Sequence, residues 1–154
     1  GPQRRIRDQI ALCKATGSRF LGSFAQDDPR VKPSIEELLK EAGVEGQVFT
    51  DWPDDRTILA RLSECDIIYM PRNSGCYYSS ASVRLALNAH RPIIVNDDTG
   101  YSDLPLLRAN DLEEAKDSVD LWRNPDAYHA TVDAQNRWAS ENGIVQMLTN
   151  AGLL

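Results

Sequence analysis

The chain has 154 residues, and its 42% apolar and 26% charged fractions are typical of one globular domain over residues 1–154. No apolar run approaches the roughly 20 residues that cross a bilayer, which excludes a transmembrane segment and favours a cytoplasmic protein. The net charge of −6 argues against a protein that binds nucleic acid through its overall field.

The cysteines and histidines predict no metal site. Cys13, Cys65 and Cys76 are odd in number and lack metal-like spacing, which indicates reduced thiols in a cytoplasm. His90 and His129 lie far apart in sequence and outside any metal-binding pattern. We therefore expect chemistry that uses neither a metal nor a resident cofactor.

Helical and strand patterns alternate in the first half of the chain. Apolar spacing predicts a helix that ends at Gly17, and a second helix that begins at Pro33 and is capped by Gly43. Short strands are predicted over 19–24 ("RFLGSF") and 47–52 ("QVFTDW"). A third helix is predicted over "PDDRTILARLSEC", and its buried stripe consists of Ile58, Leu59, Leu62 and Cys65.

The second half begins with apolar strands and ends in helices. "DIIYM" and "RPIIV" predict strands on either side of a helix over 80–90. From about residue 111 no strand signal returns, and two helices follow, the second with Asn124 as N-cap and Pro125 at its first position. A short helix closes the chain. These patterns predict an α/β fold, a three-layer Rossmann-like parallel sheet flanked by helices with a C-terminal helical tail.

The order of elements is unusual at the start. A doubly wound unit normally begins with a strand, but this chain begins with a helix. Either a first strand lies upstream or the sheet is one strand short. Gly1-Pro2 resembles a protease-cleavage scar, so we expect the natural protein to extend further on that side.

A loop of twelve residues, "PRNSGCYYSSAS", lies between the third predicted strand, "DIIYM", and the next helix. It is longer than the usual two to six residues and ends in hydroxyls at a helix start. Such a helix start can hold a phosphate or carboxylate. Ser79, Ser80, Arg72 and Arg84 are the candidate anion-binding residues, with Ser74 beside them.

Each of these candidates also has a structural reading. Ser79 or Ser80 can cap the helix, and Arg84 can be a solvated surface residue. Tyr77 and Tyr78 can stack on a sugar or base, or pack in the loop. Gly75 lets the backbone turn or approach a ligand. Trp52 can border a nucleobase or close the edge of the core. Asp97-Asp98 can act as a base, contact a ribose or form a turn.

From about Arg19 onward, the order of segments resembles the C-terminal, nucleotide-sugar-binding half of GT-B glycosyltransferases, most like family 4. The resemblance is carried by "RFLGSF", by "GVEGQVFTDWPDDRTILARLSECDIIYMPR", by "SVRLALNAHRPIIVNDDTGYSDL" and by the closing helices with "NPDAY" between them. No single segment is specific to the family, and their occurrence in the family's order over most of the chain is moderately specific.

The sequence also departs from that family. The family carries two glutamates eight positions apart, and counting back from Pro92 places them at Tyr77 and Leu85. An alignment shifted by one residue places Arg84 at the second position. The Arg/Lys pair that holds the diphosphate follows the first strand of the family's donor half, and that strand is absent from this chain, as is the N-terminal acceptor domain.

The resemblance implies a donor-binding half of a larger enzyme, whose partners are a nucleotide diphosphate sugar, an acceptor and the parent's N-terminal domain. Gly22, Ser23 and Asp51-Trp52 would border the nucleotide. Backbone amides at the helix start near Ser79 would hold the phosphates, and Tyr77 and Tyr78 would face the sugar. Most retaining members of the family need no metal.

Two alternatives remain open. The segment "DIIYMPRNSGCYYSSASVRLALNAHRPIIV" also resembles nucleoside 2-deoxyribosyltransferase-like folds, although the position of their catalytic glutamate is Ser or Ala here and they lack the long helical tail. The other alternative is a non-catalytic Rossmann-like module kept for protein interaction.

Overall fold

A computed structural model describes residues 2–24, 27–70, 81–96, 104, 106–143, 149 and 152–153. Within these ranges the helices are α1 (Pro2–Thr16), α2 (Val31–Ala42), α3 (Asp55–Ser63), α4 (Ala81–Ala86), α5 (Leu112–Leu121) and α6 (Pro125–Glu141). The strands are β1 (Phe20–Ser23), β2 (Gly46–Phe49), β3 (Ile68–Met70), β4 (Ile93–Val95) and β5 (Leu107–Arg108). No helix among these residues is long and apolar enough to span a membrane.

Every strand pair in the described chain is parallel, as the apolar strands predict. β1 pairs with β2 so that Phe20 lies opposite Gly46. β3 pairs with β4, and β4 with β5, in a separate three-stranded sheet. The predicted parallel pairing is thus present, and the strands are divided into a pair and a triplet.

Helices cover both faces of the sheets, which confirms the predicted three-layer α/β fold. Ile94 packs into one core cluster with Leu12 of α1 and Val119 of α5. Its neighbours on the strand, Ile93 and Val95, point the other way into a cluster with α4, and all three β4 side chains are fully buried. A strand buried on both faces gives the continuous apolar run seen in "RPIIV".

The predicted helix ends are confirmed where side chains or backbone supply the missing hydrogen bonds. Gly43 adopts φ 69° and its N–H donates to the last turn of α2. Asn124 accepts from the N–H groups of Asp126 and Ala127, with Pro125 at the first helical position of α6. Asp54 caps α3 by accepting from Thr57 N–H.

The structure departs from the prediction at the helix expected over 80–90 and at β5. The helix expected over 80–90 is α4 followed by a 3₁₀ turn at Leu87–Ala89, because His90 in the left-handed conformation ends it. β5 was not predicted, since two residues are too short for an apolar run. The closing helix lies outside the described residues apart from 149 and 152–153.

The apolar stripe of α3 is only half-buried, although the sequence predicts that it is buried. Ile58, Leu62 and Cys65 line a cleft between β1 and β3. Leu59 and Leu62 also pack at the margin of the core cluster that contains Ile68. The difference therefore arises from the break between the two sheets and not from the helix itself.

Gln135 is a fully buried polar residue on α6. Its Oε1 accepts from Ile93 N–H at 3.0 Å, and its Nε2 donates to the Arg91 carbonyl at 2.8 Å. The amide thus supplies both a donor and an acceptor to the backbone at the start of β4. The C-terminal helix is fixed to the sheet by this pair of bonds.

We predict that Gln135→Leu lowers the free energy of unfolding by about 2 kcal/mol, because a buried N–H and C=O lose their partners. Urea denaturation followed by circular dichroism measures the change. Arg137→Leu, on an exposed turn of the same helix, is the matched control and should stay within about 0.5 kcal/mol of the wild type. Equal stability of the two variants would contradict this role of Gln135.

Candidate functional site at the strand ends

Arg61 joins the carboxyl ends of β1 and β2. Its Nη1 donates to Ser23 Oγ at 3.0 Å and to Asp51 Oδ1 at 2.7 Å, and its Nη2 donates to Asp51 Oδ2 at 2.6 Å. We call these three residues the Arg61 bridge. Two parallel N–H···O bonds to one carboxylate fix the guanidinium in a plane as well as in position.

The surroundings of Arg61 explain why this side chain is held so closely. It lies in the last turn of α3, and its guanidinium carbon lies 3.9 Å from the centroid of the Phe49 ring. Its side chain is only 13% exposed, whereas that of Asp51 is 52% exposed. Stacking on the ring therefore shields the cation from water, while the carboxylate remains accessible.

Hydrogen bonds within the Arg61 bridge shift the pKa values of both its ionisable groups. The bonds from Arg61 hold the pKa of Asp51 below its ordinary value, and the same bonds raise the pKa of Arg61. The two groups are therefore ionised together at neutral pH. The bridge as a whole carries no net charge, which limits how strongly Arg61 alone can attract a phosphate.

Trp52 follows the bridge in the chain and is 69% exposed, an unusual position for so large an apolar surface. Its Nε1 donates to Asp27 Oδ1 at 2.7 Å, which fixes the direction of the indole ring. Of its two sequence interpretations, closing the core edge is wrong, because the ring lies in solvent. An oriented, exposed ring is suited to stacking on a planar ligand.

A cleft of about 1190 Å³ opens beside the bridge. Gly22, Ser23 and Trp52 line it on the β1 side, and Ser82 and Leu85 of α4 line it on the β3 side. The chain passes from β1 outward to β2 and from β3 outward to β4 and β5. The cleft therefore lies where the strand order reverses, which is where open parallel sheets bind ligands.

Gly22 allows close packing at the end of β1. A Cβ at this position would lie 2.5 Å from a ring carbon of Phe24 and 2.7 Å from one of Phe20. A side chain here would displace both rings at the edge of the cleft. The glycine is thus explained by the packing of its aromatic neighbours, and it also leaves the backbone open to the cleft.

Among the described residues, the predicted site residues are brought together only where they border the nucleotide, and not where they are expected to bind an anion. Ser23, Asp51, Gly22 and Trp52 meet at one edge, as expected of adjacent parallel strands. Arg84 has its guanidinium carbon 5.6 Å from the centroid of the Trp138 ring on α6. Seven predicted residues lie outside the described part of the chain, namely Arg72, Ser74, Gly75, Tyr77, Tyr78, Ser79 and Ser80, as do Asp97 and Asp98.

Sequence reasoning missed Arg61, the residue that organises this edge. The available signal was its position between Leu59 and Leu62, in the last turn of α3 and ten residues after Asp51. An arginine beside an apolar stripe faces the sheet margin, where strand ends present hydroxyls and carboxylates. The described residues contain no group of three or more side chains arranged to hold a metal ion.

Comparison of the sequence with models of known protein families gave no match, and neither did comparison with curated proteins.

We predict that Arg61→Met raises the pKa of Asp51 toward the ordinary value for aspartate, because the hydrogen bonds that lower it are lost. In the wild type the folded-state pKa is depressed, so the stabilisation is complete above about pH 4 and is lost as pH falls through the folded pKa. Carboxyl titration by NMR, with urea denaturation across pH, measures both effects.

Asp28 supplies an internal control for this titration. Hydrogen bonds from Arg30 lower the pKa of Asp28 to about 2, and these two residues hydrogen-bond to each other and not to the Arg61 bridge. Arg61→Met should leave the Asp28 titration unchanged. A parallel shift of both carboxylates would indicate a global change in the fold, and an unshifted Asp51 would contradict the bridge.

Proposed function

We propose that the chain is the donor-binding half of a GT-B glycosyltransferase and that it binds a nucleotide diphosphate sugar in the cleft beside the Arg61 bridge. The observation that carries the proposal is the position of the cleft, at the carboxyl ends of parallel strands and at the reversal in strand order. The order of sequence segments from "RFLGSF" to the closing helices supports the same assignment.

The described edge is suited to the nucleoside end of such a ligand. Trp52 offers an exposed ring for a base, and Ser23 lines the cleft with a hydroxyl that already accepts from Arg61. The exposed Asp51 carboxylate is held ionised and can accept hydrogen bonds from ribose hydroxyls. The base and the ribose are therefore assigned to the β1–β2 side of the cleft.

The diphosphate requires positive charge that the bridge does not supply, because Asp51 neutralises Arg61. We assign this part of the ligand to the loop before α4, with Arg72, Ser74, Gly75, Ser79 and Ser80 as the contacting residues. Ser82 and Leu85 of α4, which follows that loop in the chain, line the cleft. Tyr77 and Tyr78 are then assigned to the sugar.

For this chain we propose binding of the nucleotide sugar, and not transfer of the sugar by this chain alone. Leu85, one of the two positions where the family carries glutamate, lines the cleft with an apolar side chain. A leucine can neither orient a sugar by hydrogen bonding nor stabilise charge at the reacting carbon. Glycosyl transfer is therefore assigned to the parent enzyme with its acceptor domain. The same leucine favours the second candidate, a module that no longer catalyses.

We predict that one nucleotide among UDP, GDP and ADP, or its sugar, binds this chain in a ligand-observed NMR screen. Trp52→Ala should weaken binding about tenfold, because a base–aromatic stack contributes about 1–3 kcal/mol. The double change Ser79→Ala with Ser80→Ala should weaken it by a similar factor, through lost hydrogen bonds to a charged phosphate.

The screen includes controls for the variants and for the competing functions. Ser140→Ala, on an exposed position of α6, should bind as the wild type does. A 2-deoxynucleoside that binds while every diphosphate fails would favour the deoxyribosyltransferase-like alternative. Failure of all these ligands with a folded chain would contradict the proposal and favour an interaction module.

A further inference from the structure

The two sheets present unpaired backbone edges to each other. On β1, the N–H groups of Phe20 and Phe24 donate to carbonyls of the β2 segment. In a parallel ladder the N–H and C=O of one residue point to the same side, and successive residues alternate. The backbone groups of Leu21 and Ser23 therefore point away from β2, into the cleft that both β1 and β3 line.

The same reasoning applies to β3. Ile68 N–H donates to the Pro92 carbonyl beside β4, so Ile67 and Tyr69 point away from β4 and into the cleft. Among the described residues, one side chain hydrogen-bonds to an outward-pointing backbone group of these four residues. It is Gln9 of α1, whose Nε2 donates to the Tyr69 carbonyl at 3.0 Å. A side-chain amide thus takes one place that a neighbouring strand would fill.

The two edges run in the same direction. Residues before β1 and before β3, such as Ser18 and Asp66, line a second cavity of about 730 Å³. Residues at the ends of these strands, such as Phe24 and Met70, line the larger cleft instead. The amino ends therefore lie together and the carboxyl ends lie together, with a slot along the whole length between them.

Helices cover the slot on both faces with apolar side chains. On one face lies α1, and it runs against the strands, because Ile6 lines the carboxyl-end cleft and Thr16 lines the amino-end cavity. On the other face lie Ile58, Leu62 and Leu85. An extended segment in the slot would have its backbone between two strand edges and its side chains against apolar surfaces.

We propose that this slot receives a sixth strand, an apolar extended segment that runs parallel to β1 and β3 and is joined to the amino end of α1. The strand order would then be β2-β1-X-β3-β4-β5, in which the inserted strand X comes first in the chain. That order is the common doubly wound one. The inference is independent of the nucleotide-binding proposal.

The orientation of α1 selects this occupant. A strand that runs parallel to β1 ends at the carboxyl edge, where α1 begins, so the connection between them is short. The chain would then pass from this strand through α1 to β1, which is a crossover between two parallel strands. Crossovers of this kind are right-handed. Because apolar side chains such as Ile6 and Leu62 line the slot on both faces, β-branched apolar side chains at successive positions fit it best.

The test joins the segment Val-Ile-Val-Ile-Val to the amino end of the full chain through a two-residue Gly-Asp turn. We expect hydrogen exchange of the Leu21, Ser23, Ile67 and Tyr69 amides to slow by about tenfold or more. The midpoint of thermal unfolding should also rise. Exchange is read by NMR without any nucleotide, so a failed nucleotide screen leaves this test unaffected.

A matched fusion, Val-Ile-Pro-Ile-Val, is the control, since proline lacks the N–H that a central strand must donate. It should protect the four amides less than the all-apolar segment does. Equal protection by both fusions, or no protection by either, would overturn the proposal. Protection that appears only with dimer formation in size-exclusion chromatography would indicate pairing between copies and would also overturn it.

A second variant tests the same strand through Gln9. In the unfused chain, Gln9→Ala leaves the Tyr69 carbonyl without its partner and should lower the unfolding midpoint. In the fused chain the inserted strand donates to that carbonyl, so the same change should have a smaller effect. An equal effect of Gln9→Ala in both chains would contradict a strand at this edge.

Discussion

The structure depends on how parallel strands satisfy their backbone groups when helices cover both faces. Water reaches such strands only at their ends and edges, so each N–H and C=O needs a partner within the sheet. β4 meets this requirement fully, because it has a strand on each side and Gln135 at its start. β1 and β3 meet it on one side only. The half-buried stripe of α3 and the cleft both follow from this difference.

The Arg61 bridge is a second consequence of the same break. The ends of β1 and β2 come from residues far apart in the chain, and a two-stranded sheet holds them weakly by itself. Arg61 joins Ser23 and Asp51 through one guanidinium fixed on the Phe49 ring. The bridge therefore sets the position of the strand ends that line the cleft. The bridge fixes the positions of these strand ends and adds no net charge to the cleft.

Much of the fold follows from local patterns in the sequence. Gly43 and Asn124 end and begin helices through backbone and side-chain bonds that depend on few neighbours. "RPIIV" indicates a buried strand because helices cover both its faces. The alternation of these signals predicts the α/β class and its three layers.

The remaining features depend on contacts between distant segments. β5 has two residues, and only its pairing with β4 makes it a strand. The separation of β1 from β3 is a property of the sheet, which local periodicity does not encode. From the sequence alone, Arg61 can be interpreted as a solvated helix residue. Only the pairing of β1 with β2 brings Ser23 and Asp51 within reach of it.

The cleft has two parts that differ in chemistry. One is the edge beside the Arg61 bridge, which we call the mouth, and the other is the slot between β1 and β3. At the mouth, Trp52 and Asp51 offer an aromatic ring and a carboxylate, which suit a polar ligand with a planar base. Deeper in the slot, Leu21 and Ile67 present backbone amides between apolar walls, which suit a polypeptide strand and exclude a charged ligand. A strand there would replace Gln9 at Tyr69 and fix the spacing of β1 from β3. It would thereby define the width of the mouth, so the binding geometry of the edge depends on what occupies the slot.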